Sequence, residues 1–402
     1  MSAQEVCIKF LTGIERIISE KCENLHKSVF NAALESIKNS QASDCDENLY
    51  RISALRTFAW EMLHIGHWKD VDIKQRIVYS LATFLEVCLL LQKGNLIECL
   101  KELDAGILLG APLMSEDGQD ILRKSASLIS EEISRREEVG VILMSLEIEM
   151  TRKHEVSVGS EVDVLDLPSM QEFRERFYAT GKTAILQNCI DHWPAKEKWT
   201  DLGYFIRHFG HRTVPIEIGS KYTESNWGQK LVPLKDFIER QFIGKHEDTV
   251  IEYLAQHDLL DQIPELKEDI RIPDYCHIGS PETEVEVKMW FGPCGTVSPL
   301  HFDKKHNLLA QVVGRKRILL AHPQDSDAVY PYSGEMLSNT SQVDLESIDE
   351  ARFPRTKQIS FCEVFLKSGE VLYIPPGWWH HVRAISNSIS ISFWWEDKSA
   401  KD

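Results

Sequence analysis

The stretch Ser298-Pro-Leu-His-Phe-Asp-Lys-Lys-His-Asn307 ("SPLHFDKKHN") puts two histidines and an aspartate within ten residues of a chain that has no zinc-like cysteine spacing. In an extended strand, residues i and i+2 share a face, so His301 and Asp303 aim together while Phe302 packs on the other side. Two ligands hold a catalytic transition metal poorly, and a third must arrive from elsewhere. The segment "YIPPGWWHHVRA" (373–384) offers it: a Pro-Pro-Gly turn feeds a strand carrying His380 and His381, which face opposite sides. One of the two completes a set of two histidines and one carboxylate with metal positions left open, the set associated with non-haem Fe(II) oxygenases. A closed zinc site would take four protein ligands, usually including cysteine, and none is suitably spaced.

A lone H-x-D is weak, and the chain contains a second, His246-Glu-Asp248 in "GKHEDT" (244–249), which reads as a solvated polar loop. "ATGKTA" (179–184) ends like a phosphate-binding loop, but Arg176 stands where the leading glycine belongs, so it reads as a turn into a strand. The surroundings of His301 are richer. An Fe(II) oxygenase of this type uses a co-substrate, commonly 2-oxoglutarate, whose second carboxylate needs a cation. "NLLAQVVGRKRILLAH" (307–322) reads as a hairpin turning at Gly314-Arg315, with Lys316, Ile318 and Leu320 on one face of the return strand. Lys316 is the expected anchor; a solvated lysine at a hairpin tip is the competing reading. In "NSISISFWW" (387–395) Ser388, Ser390, Ser392 and Trp394 share a face whose small side chains leave room for a cofactor. His380 has the parity of that face, which favours it over His381 unless a bend breaks the count.

The rest of the chain supplies context. Its 402 residues suit two domains, and its net charge of −17 would repel a phosphate backbone and attract a basic protein. Direct nucleic-acid binding is therefore not expected. Nine scattered cysteines read as reduced thiols of an intracellular protein. The N-terminus has no signal-peptide pattern, and the apolar run at 84–91 is too short to span a membrane.

Residues 1–140 read as an all-α domain. Ile77, Leu81, Phe84, Leu85, Cys88 and Leu91 make one helical stripe stopped at Gly94, and Leu96, Leu100, Leu103 and Ile107 make another. Stacked α-hairpins of a solenoid kind would present a surface to a protein partner; a plain bundle without a ligand is the simpler alternative. Residues 141–160 read as a linker. From 161 to 402 short strands recur between Gly, Pro and Asn turns, with a few helices such as 168–178 and 232–242, the pattern of a barrel or jelly roll. The fold class is α+β.

"PLHFD" (299–303), "GRKRILL" (314–320) and "IPPGWWHHV" (374–382) occur in the order found in the jumonji-C oxygenases of the cupin superfamily, which this sequence resembles over residues 160–397. The likeness is closer across 253–276, 290–301, 339–346 and 390–395. It implies a double-stranded β-helix, with Fe(II) on His301, Asp303 and His380, and with 2-oxoglutarate and O2 as co-substrates. It implies 2-oxoglutarate contacts from Tyr253, Ser298, Asn307, Lys316 and Trp394. It implies a substrate pocket of Glu217, Trp290, Tyr222 and Trp227, whose carboxylate and flat rings suit a guanidinium. His381 departs from the family, which usually has an aromatic there.

The expected activity is hydroxylation of arginine in a basic protein, such as a histone or a ribosomal or chromatin protein, with nuclear and cytoplasmic residence implied by the resemblance. Rival readings are N-methyl-lysine demethylation, peptidase action on methylated histone tails, and a non-catalytic chromatin-binding module. The peptidase has no nucleophile pattern to support it, and the dead module would lack a ligand or the lysine.

Overall fold

The computed structural model describes residues 3–39, 45–148, 158–159, 161–219, 227–244, 250–280, 282–334 and 337–396. Six helices come first: α1 (Ala3–Lys21), α2 (Asn24–Asn39), α3 (Cys45–Leu63), α4 (Ile73–Leu91), α5 (Leu96–Leu109) and α6 (Ile121–Ser134). Side chains of Asp72, Asn95 and Asp120 accept hydrogen bonds from the first-turn N–H groups of α4, α5 and α6, satisfying donors that have no partner inside the helix. The apolar stripe read on α4 is part of a helix buried almost all round, because α3, α5, α1 and α2 all pack against it. Gly94 follows with φ +77°, a conformation that suits glycine. No helix of the described residues is long and apolar enough to cross a membrane, and no disulfide forms among them.

The remainder is a pair of packed sheets. The larger has nine strands in the order β1 (Asp163–Asp166), β2 (Ala184–Gln187), β11 (Val371–Ile374), β8 (His306–Val313), β13 (Ser388–Trp395), β6 (Glu286–Gly292), β5 (Glu252–His257), β3 (Thr213–Ile218) and β4 (Gly228–Pro233). The smaller runs β10 (Cys362–Lys367), β9 (Arg315–Ala321), β12 (Trp379–Ala384) and β7 (Val297–Phe302). From β6 to β9 and again from β10 to β13, consecutive strands alternate between the sheets, as in a jelly roll. Strands β4, β5 and β10 were not anticipated from sequence. β4 and β10 alternate exposed with covered residues at sheet edges and lack a continuous apolar run.

The stretch 139–144 lies against the second half of the chain. Met144 N–H donates to Thr200 O at 2.9 Å, and Ile142 N–H to Asp201 Oδ1 at 2.7 Å.

β8 and β9 do not form the hairpin expected from sequence: they lie in different sheets, and the chain crosses from one to the other at Gly314, with φ +80°. A Cβ there would stand 2.0 Å from the Asn387 carbonyl oxygen, in the turn before β13. Positive φ and backbone contact together admit only glycine. Gly314→Ala should therefore cost about 2 kcal/mol or more, read as a lowered urea midpoint at unchanged m-value.

Candidate metal centre and its cavity

The antiparallel pairing of β7 with β12 sets His380 directly across from His301. Their ring centroids are 4.2 Å apart, and Asp303, just past the end of β7, brings Oδ2 to 3.7 Å from His380 Nε2. One ligand atom from each of the three lies within 4.8 Å of the others, the spacing of a group that could hold a metal ion. The opposite faces of His380 and His381 are realised. His381 is buried on the far side, with Nε2 3.5 Å from Glu346 Oε1.

Two features fit the centre to a metal cation. His301 Nδ1 lies 2.7 Å from the Pro299 carbonyl oxygen, and His380 Nδ1 lies 3.0 Å from that of Trp378. A carbonyl can only accept, so both Nδ1 atoms carry the proton and both Nε2 lone pairs are left for a ligand role. Burial, reinforced by the neighbouring His301, pushes His380 well below the ordinary histidine pKa and keeps it neutral. Asp303 is held as well: Oδ2 accepts from Trp394 Nε1 at 3.1 Å and from Asn307 Nδ2 at 3.2 Å. His306 is absent from this cluster. Its Nδ1 meets the Tyr373 hydroxyl at 2.8 Å and its ring stacks on Tyr178.

Inward of the triad the cavity narrows between Ser298, Asn307, Ser392 and Trp394 to Lys316. Lys316 is 2% exposed, which removes the solvated hairpin-tip reading. Its Nζ donates to the Tyr253 hydroxyl at 3.3 Å and lies 5.9 and 5.8 Å from the ring centroids of Tyr253 and Trp290. Burial alone lowers its pKa to about 7. Asn307 Oδ1 is buried without a hydrogen-bond partner among the described residues. A lysine and an amide oxygen so placed fit an acidic guest that brings both a carboxylate and donors of its own or of ordered solvent.

Outward of the triad a wider vestibule is lined by Glu217, Trp227, Gln229, Tyr253, Gln256 and Trp290. Glu217 accepts from Trp227 Nε1 at 3.2 Å, and burial raises its pKa above the usual carboxylate value despite hydrogen bonds from Trp227 and Gln229. Trp290 Nε1 donates to Ser392 Oγ at 3.0 Å, which fixes the ring between vestibule and inner cavity. Tyr222, and the alternative pair His246 and Asp248, lie outside the described residues.

Gln229, Gln256 and Asn339 escaped the sequence reading. Gln229 faces Glu217 across the β3–β4 pairing, on a strand that had gone unrecognised. Gln256 has φ +51°, a local feature no spacing rule reveals. Asn339 exchanges hydrogen bonds with Phe302, donating from Nδ2 to its carbonyl at 3.0 Å and accepting its N–H at 2.9 Å. It straps the segment 337–341 onto β7 beside His301, and its signal lay within the closely resembling stretch 339–346.

Comparison with known proteins agrees with this geometry. A family model described as "Cupin-like domain" matches residues 170–401, and one described as "KDM8-like, N-terminal ARM repeats" matches 20–139, favouring the solenoid reading over a plain bundle. The chain is 40% identical over 374 residues to Jumonji C domain-containing protein 5 of Drosophila melanogaster, covering 90% of each. It is 41% identical over 367 residues to Lysine-specific demethylase 8 of Danio rerio, covering 88% of this chain and 89% of that one. With Lysine-specific demethylase JMJ30 of Arabidopsis thaliana it shares 39% over 372 residues, 86% of each. A cupin match over more than half of the chain, and relatives aligned along most of their length, establish that the chain belongs to the jumonji-C group of cupin-like oxygenases, which work with Fe(II), 2-oxoglutarate and O2.

Proposed function

We propose that the chain hydroxylates an arginine side chain of a basic protein, with Fe(II) held by His301, Asp303 and His380. The observation that carries this reading is Glu217. It is a carboxylate sunk in the vestibule wall, served by neutral donors, with no cationic partner among the described residues, and it opens onto the same cavity as the triad. A buried charge of this kind is stable when a ligand supplies the counter-charge. A guanidinium does so with a planar fork of donors and stacks on aromatic faces, which Trp227 and Trp290 provide.

Iron with 2-oxoglutarate and O2 would supply the oxidation: 2-oxoglutarate would lose CO2 and take up one oxygen atom as succinate, and the other would end in the hydroxylated side chain. The protein's own part is positional. Lys316 pairs with the distal carboxylate, Tyr253, Asn307 and Ser298 add hydrogen bonds, and Trp394 steadies Asp303 while forming the wall. Glu217 and the tryptophans hold the target carbon toward the triad, so that reaction follows from placement and not from an acid or base. The acidic surface draws in a basic chain. Nuclear and cytoplasmic residence follows from such substrates.

A second reading is N-methyl-lysine demethylation, in which hydroxylation of the methyl carbon releases formaldehyde. The relatives' names favour it more directly than they favour arginine, since two of them are called lysine-specific demethylases. Glu217 and the aromatic walls favour the planar guanidinium. Mass spectrometry of arginine- and methyl-lysine-containing basic peptides, incubated with Fe(II) and 2-oxoglutarate, separates the two. One added oxygen on arginine is expected, whereas a lost methyl group with formaldehyde would replace the first reading by the second. Peptide cleavage without 2-oxoglutarate would sink both. Glu217→Gln should raise KM for the cationic peptide roughly tenfold while leaving 2-oxoglutarate binding within about twofold.

The metal assignment has its own check. His301→Ala should lower iron affinity by more than the roughly 10–100-fold that loss of a supporting group costs, measured as bound iron after dialysis. Full iron content in the variant would overturn the triad.

Lys316 gives a pH signature. Its pKa of about 7 in the free protein must rise when a carboxylate docks against it. Its contribution to 2-oxoglutarate affinity is therefore complete below about 7 and is lost as pH rises toward the bound-state value. Calorimetry one unit above that free-state value, in buffers of different ionisation enthalpy, should show proton uptake on binding. Lys316→Met should abolish both the uptake and the pH dependence.

A further inference from the structure

A buried carboxylate of the helical region is bonded to β3, one of the strands that carry the vestibule. Asp104 lies on α5 beside Leu100 and Leu103, inside the apolar face, and both it and Arg212 are 0% exposed. Arg212 grips Asp104 Oδ1 with Nε at 3.0 Å and Nη2 at 2.7 Å. Asp104 Oδ2 accepts the Thr213 N–H at 2.6 Å, at the first residue of β3. Gln262, also buried, joins the cluster: its Nε2 donates to Asp104 Oδ1 at 2.9 Å and to Thr213 O at 2.7 Å, while its Oε1 lies 2.7 Å from His257 Nε2, at the last residue of β5.

The topology gives this cluster a task. β3 and β5 pair only at Glu217 with Tyr253 and at Ile218 with Glu252, the vestibule ends of the two strands. No pairing joins them toward Thr213 and His257, and there Asp104 and Gln262 bridge the gap. The bridge is about 13 Å along the strand from Glu217, at roughly 3.3 Å per residue. The two strands carry Glu217, Tyr253 and Gln256, three of the groups facing the vestibule.

We infer that Asp104 and Gln262 are positioning residues for the substrate pocket: a clamp built by Asp104 of the helical region and Gln262 of the cupin-like region, which fixes the angle between β3 and β5, and so the placement of Glu217 against the triad. The inference rests on the reading of the Glu217 vestibule as the substrate pocket. Neither residue touches the cavity, so neither acts on substrate directly. Stability alone is a weak reason for the device, because desolvation offsets much of what a fully buried ion pair gains, and apolar replacement is often neutral. A geometric role accounts for the added bonds to Thr213 and His257, which an isolated ion pair would not need. The helical region thereby becomes part of the catalytic apparatus.

The test uses full-length Asp104→Asn and the milder Gln262→Leu, with the peptide that the wild-type protein oxidises. Each variant should raise peptide KM about fivefold or more while kcat falls less than about threefold and 2-oxoglutarate affinity holds within about twofold. Hydrogen exchange, which needs no substrate, should show faster exchange in β3 and β5 with β7 and β12 unchanged. Unaltered KM in folded variants would overturn the clamp. So would KM, 2-oxoglutarate affinity and exchange in both sheets all loosening together, which is the mark of general destabilisation. If Asp104→Asn does not fold, Gln262→Leu decides. If the wild type oxidises no cationic peptide, the function proposal fails by itself, and the exchange pattern still judges the clamp.

Discussion

The pairing of β7 with β12 is the constraint on which the site depends. It sets His301 and His380 opposite each other on one face, and the strand period carries Asp303 to the same side. A slip of one residue would bring His381 inward and turn His380 away. The register is secured from both flanks of β12, since β9 pairs with it continuously from Trp379 to Ala384. The shift in the β7–β12 pairing falls after His380, where it alters the far end of the strand without moving the ligands. Outer-face contacts reinforce this register: Phe302 packs edge-on against Trp379, whose Nε1 donates to Ser326 Oγ at 3.0 Å.

From that register the cavity is organised in depth. β13 supplies Ser392 and Trp394 as one wall, β8 supplies Asn307, and β9, which follows the turn at Gly314 in the other sheet, delivers Lys316 to the bottom. The close approach of Gly314 to Asn387 seats the β8–β9 crossover beside the turn that starts β13, so the lysine and the serine face are placed by the same contact. Asn307 and Trp394 both bind Asp303 and both line the inner cavity. The metal centre and the inner cavity therefore share walls, and displacement of one disturbs the other.

Much of this was legible because it is carried by short-range periodicity. The i, i+2 relation of His301 and Asp303, the opposite faces of His380 and His381, and the small-residue face of β13 are properties of any strand. The parity count that preferred His380 is less secure, because it crosses the turn at 385–387. The interstrand pairing with His301 is what selects that histidine. Contacts that leave no local trace were missed. Asp104 and Arg212 are distant in sequence, and each alone reads as an ordinary helical or surface charge. An acid between Leu100, Leu103 and Ile107 was the available signal, since a buried carboxylate needs a partner. Gln229 and Gln256 sit on strands with no apolar run long enough to mark them.

Two charges of opposite sign thus share one cavity without meeting. Lys316 lies at its inner end and Glu217 in its outer wall. In a low-dielectric interior they would attract strongly if they could approach. Tyr253 keeps them apart: it sits across from Glu217 in the β3–β5 pairing, and its hydroxyl accepts from Lys316. Burial, with Glu217 adding, holds that phenol well above its ordinary pKa, so it spaces the charges as a neutral group. Trp290 completes the partition, with its ring near Lys316 and its indole N–H tied to Ser392. In the proposed function each charge meets a guest of the opposite sign, an anion inside and a cation outside, with the triad between them. In the proposed reading, an anion bound at Lys316 compensates a desolvated ammonium that otherwise lies in the cavity next to the cation site.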